Sequence, residues 1–413
     1  MKNKILLIGG LIFLANILFA QKTMIFSDSY KNYRDAQELF DKSKYSAAQN
    51  KFGQVIDEID NPQDELRVDS EFYHAVCALE LFHLDAEILL KRFVLNHPDH
   101  PKSKKVFFQL GRHNYRIKRF NKVIEFLNLI DPFDLTEKER IEYHFKLGYS
   151  YFYKKKQSES KPHFKEVLSQ DSDFKIPATY YFSHIAYDEG NLQTALDGFK
   201  SISSNKMFKS IVPYYITQIY HKQKKYDLLI EYAPPYLDSV IKKRKGEFAK
   251  LIADSYYYNE QYENSIPYFK EFKKSVNATR EDNYQVGYAY YRTKQFEKAV
   301  MYLMRVATKK DGMSQTAYYH MADCYLKLEE KDYARNAFQA ASKLDFEPEI
   351  KQNSLFNYAK LAYELSYNPY DEAIDAFHQY IDTYPNSPEV SEAYEFLIKV
   401  YMTTKNYDDA LES

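Results

Sequence analysis

The sequence predicts an all-α fold made of tandem helix-turn-helix units, and three observations carry that expectation. A small residue followed four positions later by a second apolar residue recurs along the chain, with steps of 34 to 39 residues. Gly is scarce, 10 in 413 residues, and Pro numbers only 14, which disfavours both disorder and turn-rich β architectures. Apolar positions at helical spacing stand on both sides of a short polar turn in each unit.

Tyr284–Val306, YQVGYAYYRTKQFEKAVMYLMRV, shows the unit most plainly. Gly287 and Tyr290 lie on a first amphipathic helix, and Phe296, Ala299 and Leu303 on a second, with a polar turn between Tyr291 and Gln295. In chain order the paired positions are Ala48/Phe52, Ala86/Leu90, Val123/Leu127, Ser160/Phe164, Ala195/Phe199, Leu229/Ala233, Ser265/Phe269, Ala299/Leu303, Ala334/Phe338 and Ala373/Phe377. Ala410 begins one more. Twelve residues before Val123, Ser160, Ala299 and Ala334 stand Gly111, Gly148, Gly287 and Ala322, small residues that let the two helices of a unit approach. An aromatic precedes the second helix at Tyr45, Phe120, Tyr226, Tyr262, Phe296, Tyr370 and Tyr407. The second unit, around His74 to Phe93, is expected to have a shortened turn. Pro234-Pro235 should break the second helix of the sixth. Asn61–Asp64, His97–Pro101, Asp131–Thr136 and Asp345–Pro348 read as turns between units. No shift of composition marks a domain boundary.

This pattern resembles the tetratricopeptide repeat over roughly residues 30 to 413. Pro385, in YPNSP, sits where that family places its helix-ending proline. The family's first-helix Trp is absent throughout, with aromatics such as Phe107 and Tyr318 in its place. The resemblance implies a right-handed superhelical solenoid of about ten repeats and a truncated last one. The last segment, YMTTKNYDDALES, stops just inside a second helix, without the polar capping helix that usually ends a solenoid. The expectation is that the array is cut from a longer one or that a partner covers its end.

The first twenty residues differ from the rest. Lys2 and Lys4 precede an apolar run from Ile5 to Phe19, and Ala20 is a small residue at the expected cut before Gln21. This reads as a signal peptide, too short for a membrane span. The organisation expected is therefore 1–20 signal peptide and 21–413 repeat array, periplasmic or outer-membrane-associated. No Cys follows the run, so lipid attachment there is not expected. The phrases FHQYIDTYPNSPEVSEAYEFL and FVLNHPDHPKS resemble repeats of Gram-negative outer-membrane assembly lipoproteins and of periplasmic proteins linked to the Tol-Pal system.

The chemistry expected is binding rather than catalysis. Lys+Arg 57 against Asp+Glu 58 leaves no basic field for nucleic acid. No HExxH, CxxC pair, P-loop or GxSxG occurs. His97 and His100 bracket a turn without further ligands, so no metal, cofactor or small-molecule substrate is expected. Cys77 and Cys324 fall in first helices of distant units and are expected to be buried, unpaired thiols. Lys154–Lys156, Lys222–Lys225 and Lys242–Lys245 read as solvated turns and helix ends, or as an edge that holds an anionic ligand.

In the family resembled, the first helices line a concave groove that takes extended peptides or partner helices. Two first-helix positions seven apart, and so on one face, are conspicuously aromatic here. The groove residues proposed on that basis are Phe108, Arg112, Tyr115, Phe145, Tyr149, Phe152, Tyr180, His184, Tyr187, Tyr214, Gln218, Tyr257, Tyr284, Tyr288, Tyr291, Tyr319 and Asp323. Tyr binds well at low entropy cost, but a stripe at helical spacing also serves as packing between helices. The function expected is a non-catalytic scaffold for other proteins or peptides, in envelope assembly or secretion. The alternative is the targeting region of a longer protein whose effector part follows residue 413.

Overall fold

The computed structural model describes residues 28–274, 276–366 and 370–412. The signal-peptide reading of residues 1–20 lies outside the described residues. Every regular element described is a helix, with no strand among the described residues. The chain divides into two compact units, Met1–Gly198 and Phe199–Ser413.

The first unit holds α1 (Asp28–Asp41), α2 (Tyr45–Glu58), α3 (Glu65–Glu80), α4 (Ala86–Asn96), α5 (Pro101–Arg116), α6 (Phe120–Leu127), α7 (Glu137–Tyr153), α8 (Gln157–Leu168) and α9 (Lys175–Asp188). The division falls within α10 (Leu192–Ile202). The second unit holds α11 (Val212–Lys222), α12 (Tyr226–Tyr232), α13 (Lys245–Tyr258), α14 (Tyr262–Phe272), α15 (Arg280–Arg292), α16 (Phe296–Leu303), α17 (Gly312–Lys327), α18 (Lys331–Ser342), α19 (Pro348–Leu365), α20 (Asp371–Thr383), α21 (Val390–Thr404) and α22 (Tyr407–Glu412). Odd-numbered helices are the first members of their pairs and even-numbered helices the second.

The small residues do what their spacing requires. A Cβ on Gly287 would meet Leu303 Cγ at 2.9 Å and the Leu303 backbone nitrogen at 3.3 Å. Five pairs earlier, a Cβ on Gly111 would likewise run into the Leu127 side chain. Ala48, Phe52, Ala299, Leu303, Ala334, Ala373 and Phe377 are all buried. In the first unit the apolar residues gather into successive local clusters, such as Tyr33, Ala48 and Phe52, then Phe72, Leu90 and Phe93. In the second, one continuous core runs from Ala253 to Tyr401. A chain that buries each stripe only against sequence neighbours has stability spread along its length, repeat by repeat.

The turns inside the pairs share one device. Among the described residues, one residue per turn adopts the left-handed region: Ser43, Phe82, Lys118, Lys155, Gly190, Lys224, Glu260, Lys294, Glu329, Tyr370 and Lys405. The next residue usually donates its N–H back to a carbonyl of the first helix, as Gln295 does to Tyr290 at 2.9 Å and Lys156 to Tyr151 at 2.9 Å. That is the Schellman arrangement, which satisfies carbonyls left open at a helix end. Only Gly190 supplies the residue type the conformation favours.

Two expectations about particular turns meet different fates. The second pair does not have a shortened turn: α3 ends at Glu80 and α4 begins at Ala86, so residues 81–85 intervene where 293–295 suffice elsewhere. The reason is local. Ala86 donates to His83 O at 3.2 Å, so His83–Asp85 form a turn of their own and Ala86 opens α4 instead of lying inside it. Pro234-Pro235 does end the second helix of its pair: α12 stops at Tyr232 and a 3-10 turn spans Pro234–Tyr236.

Joints between pairs are held by polar groups. Thr136 and Glu139 form a capping box at the start of α7, and Thr279 and Asp282 another at α15. Gln315, fully buried on α17, donates to Leu344 O at 2.7 Å and accepts from Glu347 N at 2.8 Å, so one amide ties down the turn that leads into α19.

Candidate partner-binding face

Within each unit, first helices pack against the first helix of the next pair, and most also pack on the second helix of their own. In the first unit α1, α3, α5, α7 and α9 touch in succession. In the second, α11 touches α13, and α15, α17, α19 and α21 touch in succession, while α13 meets α15 through side chains, Lys250 on Asp282 and Tyr257 on Tyr288. The exposed sides of these helices therefore form one face per unit, and most of the sequence-derived groove residues lie on it.

The densest part of that face is in the second unit. Tyr288 on α15 lies 6.0 Å from Tyr257 on α13, 5.7 Å from Tyr262 at the start of α14 and 6.0 Å from Tyr284, centroid to centroid. His320 on α17 closes the cluster, 5.1 Å from Tyr288 and 5.0 Å from Tyr291. Arg292 lies over the Tyr262 ring at 4.8 Å and donates to the Tyr288 hydroxyl at 3.0 Å. Burial pushes the His320 imidazole down from 6.5 to about 4, so it is neutral at ordinary pH. Its Nδ1 has no hydrogen-bond partner among the described residues. Burial raises the Tyr284 phenol to about 12, and raises Tyr257 and Tyr291 further, the last helped by its hydrogen bond to Asp323.

Next to the ring cluster lies a charged ladder. Lys250 Nζ donates to Asp254 Oδ2 at 2.7 Å and reaches Asp282 Oδ1 at 2.9 Å, linking α13 to α15. His221 on α11 approaches Asp254 at 3.9 Å. Asp254 is buried and its Oδ1 is unpartnered among the described residues, and burial raises its carboxyl above the usual range. Tyr214 donates to Glu247 at 2.7 Å while accepting from Gln218 at 2.8 Å.

The first unit repeats the theme with other residues. Tyr149 lies 5.4 Å from Tyr115 and 5.0 Å from Tyr181, and Phe152 lies 5.5 Å from His184, which in turn faces Tyr180 at 6.2 Å. Arg112 donates to Glu142 at 2.8 Å across α5 and α7. Tyr187 is half-buried at the end of α9.

Phe108 (1% exposed), Phe145 (6%) and Tyr214 (7%) are closed off from solvent and pack between helices. Tyr115, Tyr149, Phe152, Tyr257, Tyr284, Tyr288, Tyr291, Tyr319 and Asp323 keep part of their surface open. His320 escaped the sequence pattern because it stands one position after Tyr319, off the seven-residue spacing. Only the run AYYH, aromatic through three places, hinted at it. The sequence-derived pair His97 and His100 has other duties: His97 Nε2 lies 2.9 Å from Glu71 Oε2, and His100 Nδ1 accepts from Lys102 N at 3.2 Å as the cap of α5. Cys77 and Cys324 are both buried, unpaired thiols. Among the described residues no group of three or more His, Cys, Asp or Glu is arranged to hold a metal ion, and no helix is long and apolar enough to cross a membrane.

Comparison with known proteins fits this architecture. Residues 353–387 match the family model of the tetratricopeptide repeat, and residues 247–341 match that of anaphase-promoting complex, cyclosome, subunit 3. Among solved structures, the chain is similar to the TPR domain of P58(IPK) at 13% identity and a TM-score of 0.25, covering 82% of this chain and 99% of that one. It is also similar to the C-terminal part of a TPR repeat-containing protein from Cytophaga hutchinsonii, at 12% identity and a TM-score of 0.35, covering 69% of this chain and 98% of that one. No curated protein matches. One stretch, residues 353–387, thus matches a tetratricopeptide repeat, and the tandem helix-turn-helix pairs of the described residues have the same all-α architecture. Tandem helix-turn-helix arrays of this kind generally serve as scaffolds for protein–protein interaction.

Proposed function

We propose that this protein is an exported scaffold of the cell envelope that holds an extended peptide or a partner protein on its first-helix face. The observation that carries the reading is the cluster of Tyr257, Tyr284, Tyr288 and Tyr291 around His320. Partly open, uncharged rings from α13, α15 and α17 meet there on one surface. Rigid amphipathic rings of this kind supply contact area at little entropic cost. Beside it, Lys250 and His221 keep part of their surface open to a partner's polar groups. Export rests on Lys2, Lys4 and the apolar run to Phe19, and the envelope setting on the resemblance of its repeats to outer-membrane assembly proteins.

Affinity capture from cross-linked envelopes tests the reading, comparing the native chain with Tyr288→Glu and Tyr149→Glu. The expected result is a defined envelope complex recovered with the native chain and lost with the variants, at unchanged helicity. Equal recovery by all three overturns the assignment of the face. Intact-mass measurement of the exported protein tests export itself, with an N-terminus at Gln21 expected.

A further inference from the structure

A second surface of the first unit adjoins the partner-binding face through Phe120, whose ring lies 5.5 Å from that of Tyr149, but carries a different chemistry. The turn between α5 and α6 and the end of α7 place Lys118, Arg119, Lys122 and Lys154 around one cleft of ≈ 400 Å³. No carboxylate lines it. Its apolar wall is Phe120 against Tyr153, with ring centroids 4.4 Å apart; Phe120 is 7% exposed and Tyr153 62%.

The charge there is locally uncompensated. Lys122 is paired with Glu125 at 2.8 Å. Lys118, Arg119 and Lys154 have exposed side chains with no ion pair or hydrogen-bond partner among the described residues. Lys155 and Lys156 continue the run along the following turn. Cations at or beside the neighbouring turns of the same unit are matched instead: Arg116 lies 2.6 Å from Glu80, and Lys161 2.5 Å from Glu189. The whole chain is almost neutral, so the concentration is not a by-product of a basic protein. Like charges gathered around a concave, carboxylate-free cleft raise the local potential, and a multiply charged anion relieves it.

We propose that this cleft binds a phosphate ester, its charge held by Lys118, Arg119 and Lys154 and its carbon side resting on Tyr153. Two sources share that chemistry, a soluble phosphorylated compound and a phospholipid headgroup, and the test separates them. Full-length protein is titrated with phenyl phosphate by calorimetry, and is floated with phosphatidylcholine vesicles with and without phosphatidic acid. Binding in the titration identifies a soluble ester; binding only to phosphatidic-acid vesicles identifies a headgroup. In whichever arm binds, K118E/R119E/K154E is expected to lose at least about tenfold in affinity. The control K309E/K310E/K327E, with the same change of charge on exposed residues of the second unit, is expected to keep it. Tyr153→Ala, which leaves every charge in place, is expected to lose roughly threefold. Equal loss in the two charge-reversed variants, or no binding in either arm, overturns the proposal.

Discussion

The His320 imidazole and the Tyr288 ring meet at 60° with centroids 5.1 Å apart, which joins α17 to α15 through two uncharged rings. Protonation of His320 would place a buried cation in that contact. Burial has moved its folded value from 6.5 to about 4, so the unfolded chain takes up the proton first as pH falls. The contribution of His320 to stability is therefore complete above pH 6.5 and is lost as pH drops towards 4, by up to about 3 kcal/mol. Thermal unfolding at pH 7.5 and pH 4.5 is expected to show a smaller decline for His320→Phe than for the native chain.

Gly287 faces Leu303 without room for a methyl group, and the Leu303 backbone is part of the obstruction. Gly287→Ala is expected to destabilise the second unit by about 1–3 kcal/mol, because one helix of the pair must move. Denaturant unfolding followed by circular dichroism measures this. A variant as stable as the native chain would show that α15 and α16 separate freely.

Gly190 has φ +80° and nothing within 4 Å of where a Cβ would stand, so any cost of a side chain there is conformational. Gly190→Ala is expected to lose about 1–2 kcal/mol. Lys294, at φ 59°, occupies the corresponding place in another turn. Lys294→Gly is expected to gain a fraction of that, because Gly relieves the strain yet costs more chain entropy. Opposite shifts of the two melting temperatures are the expected signature.

Lys250 is the cation that, among the described residues, bridges Asp254 and Asp282. Lys250→Met leaves two closed-off carboxylates facing each other and is expected to cost about 3 kcal/mol at neutral pH. The loss should shrink as pH falls and the carboxylates take up protons. A deficit independent of pH would mean that the lysine stem, not its charge, supports α13 and α15.

The fold was legible because each pair closes on a small residue and a large one at fixed spacing: Gly287 with Leu303 and Gly111 with Leu127 are visible as letters before they are contacts. The turns were less legible. Their left-handed residue is Lys, Glu, Ser, Phe or Tyr in ten of the eleven turns described and Gly in one, so no residue type announced it. The turn after Glu80 is longer than the sequence suggests for a related reason: spacing between apolar residues does not reveal that His83–Asp85 close a turn of their own. The face was legible in part. Heptad spacing selected Tyr284, Tyr288 and Tyr291 together. It also selected Phe108 and Phe145, which pack between helices, because spacing fixes the side of a helix and not the depth of its neighbour. His320 and the Lys250 ladder depend on neighbouring helices about 32 residues apart, as with Lys250 and Asp282, and no local pattern carries that.

The left-handed turns have a consequence for how such a chain can grow and shrink. Ten of the eleven turns described close on a hydrogen bond to their own first helix, as Gln295 to Tyr290, and pairs such as those of Gly111, Gly148 and Gly287 close on their own small residue. An excision from one such turn to the equivalent point of the next would remove one complete pair and leave the flanking bends with their own bonding partners. Length is thus an adjustable quantity here, changed in whole modules of about 35 residues, the order of one repeat. Gene rearrangement could lengthen or shorten the binding face without having to invent a new joint.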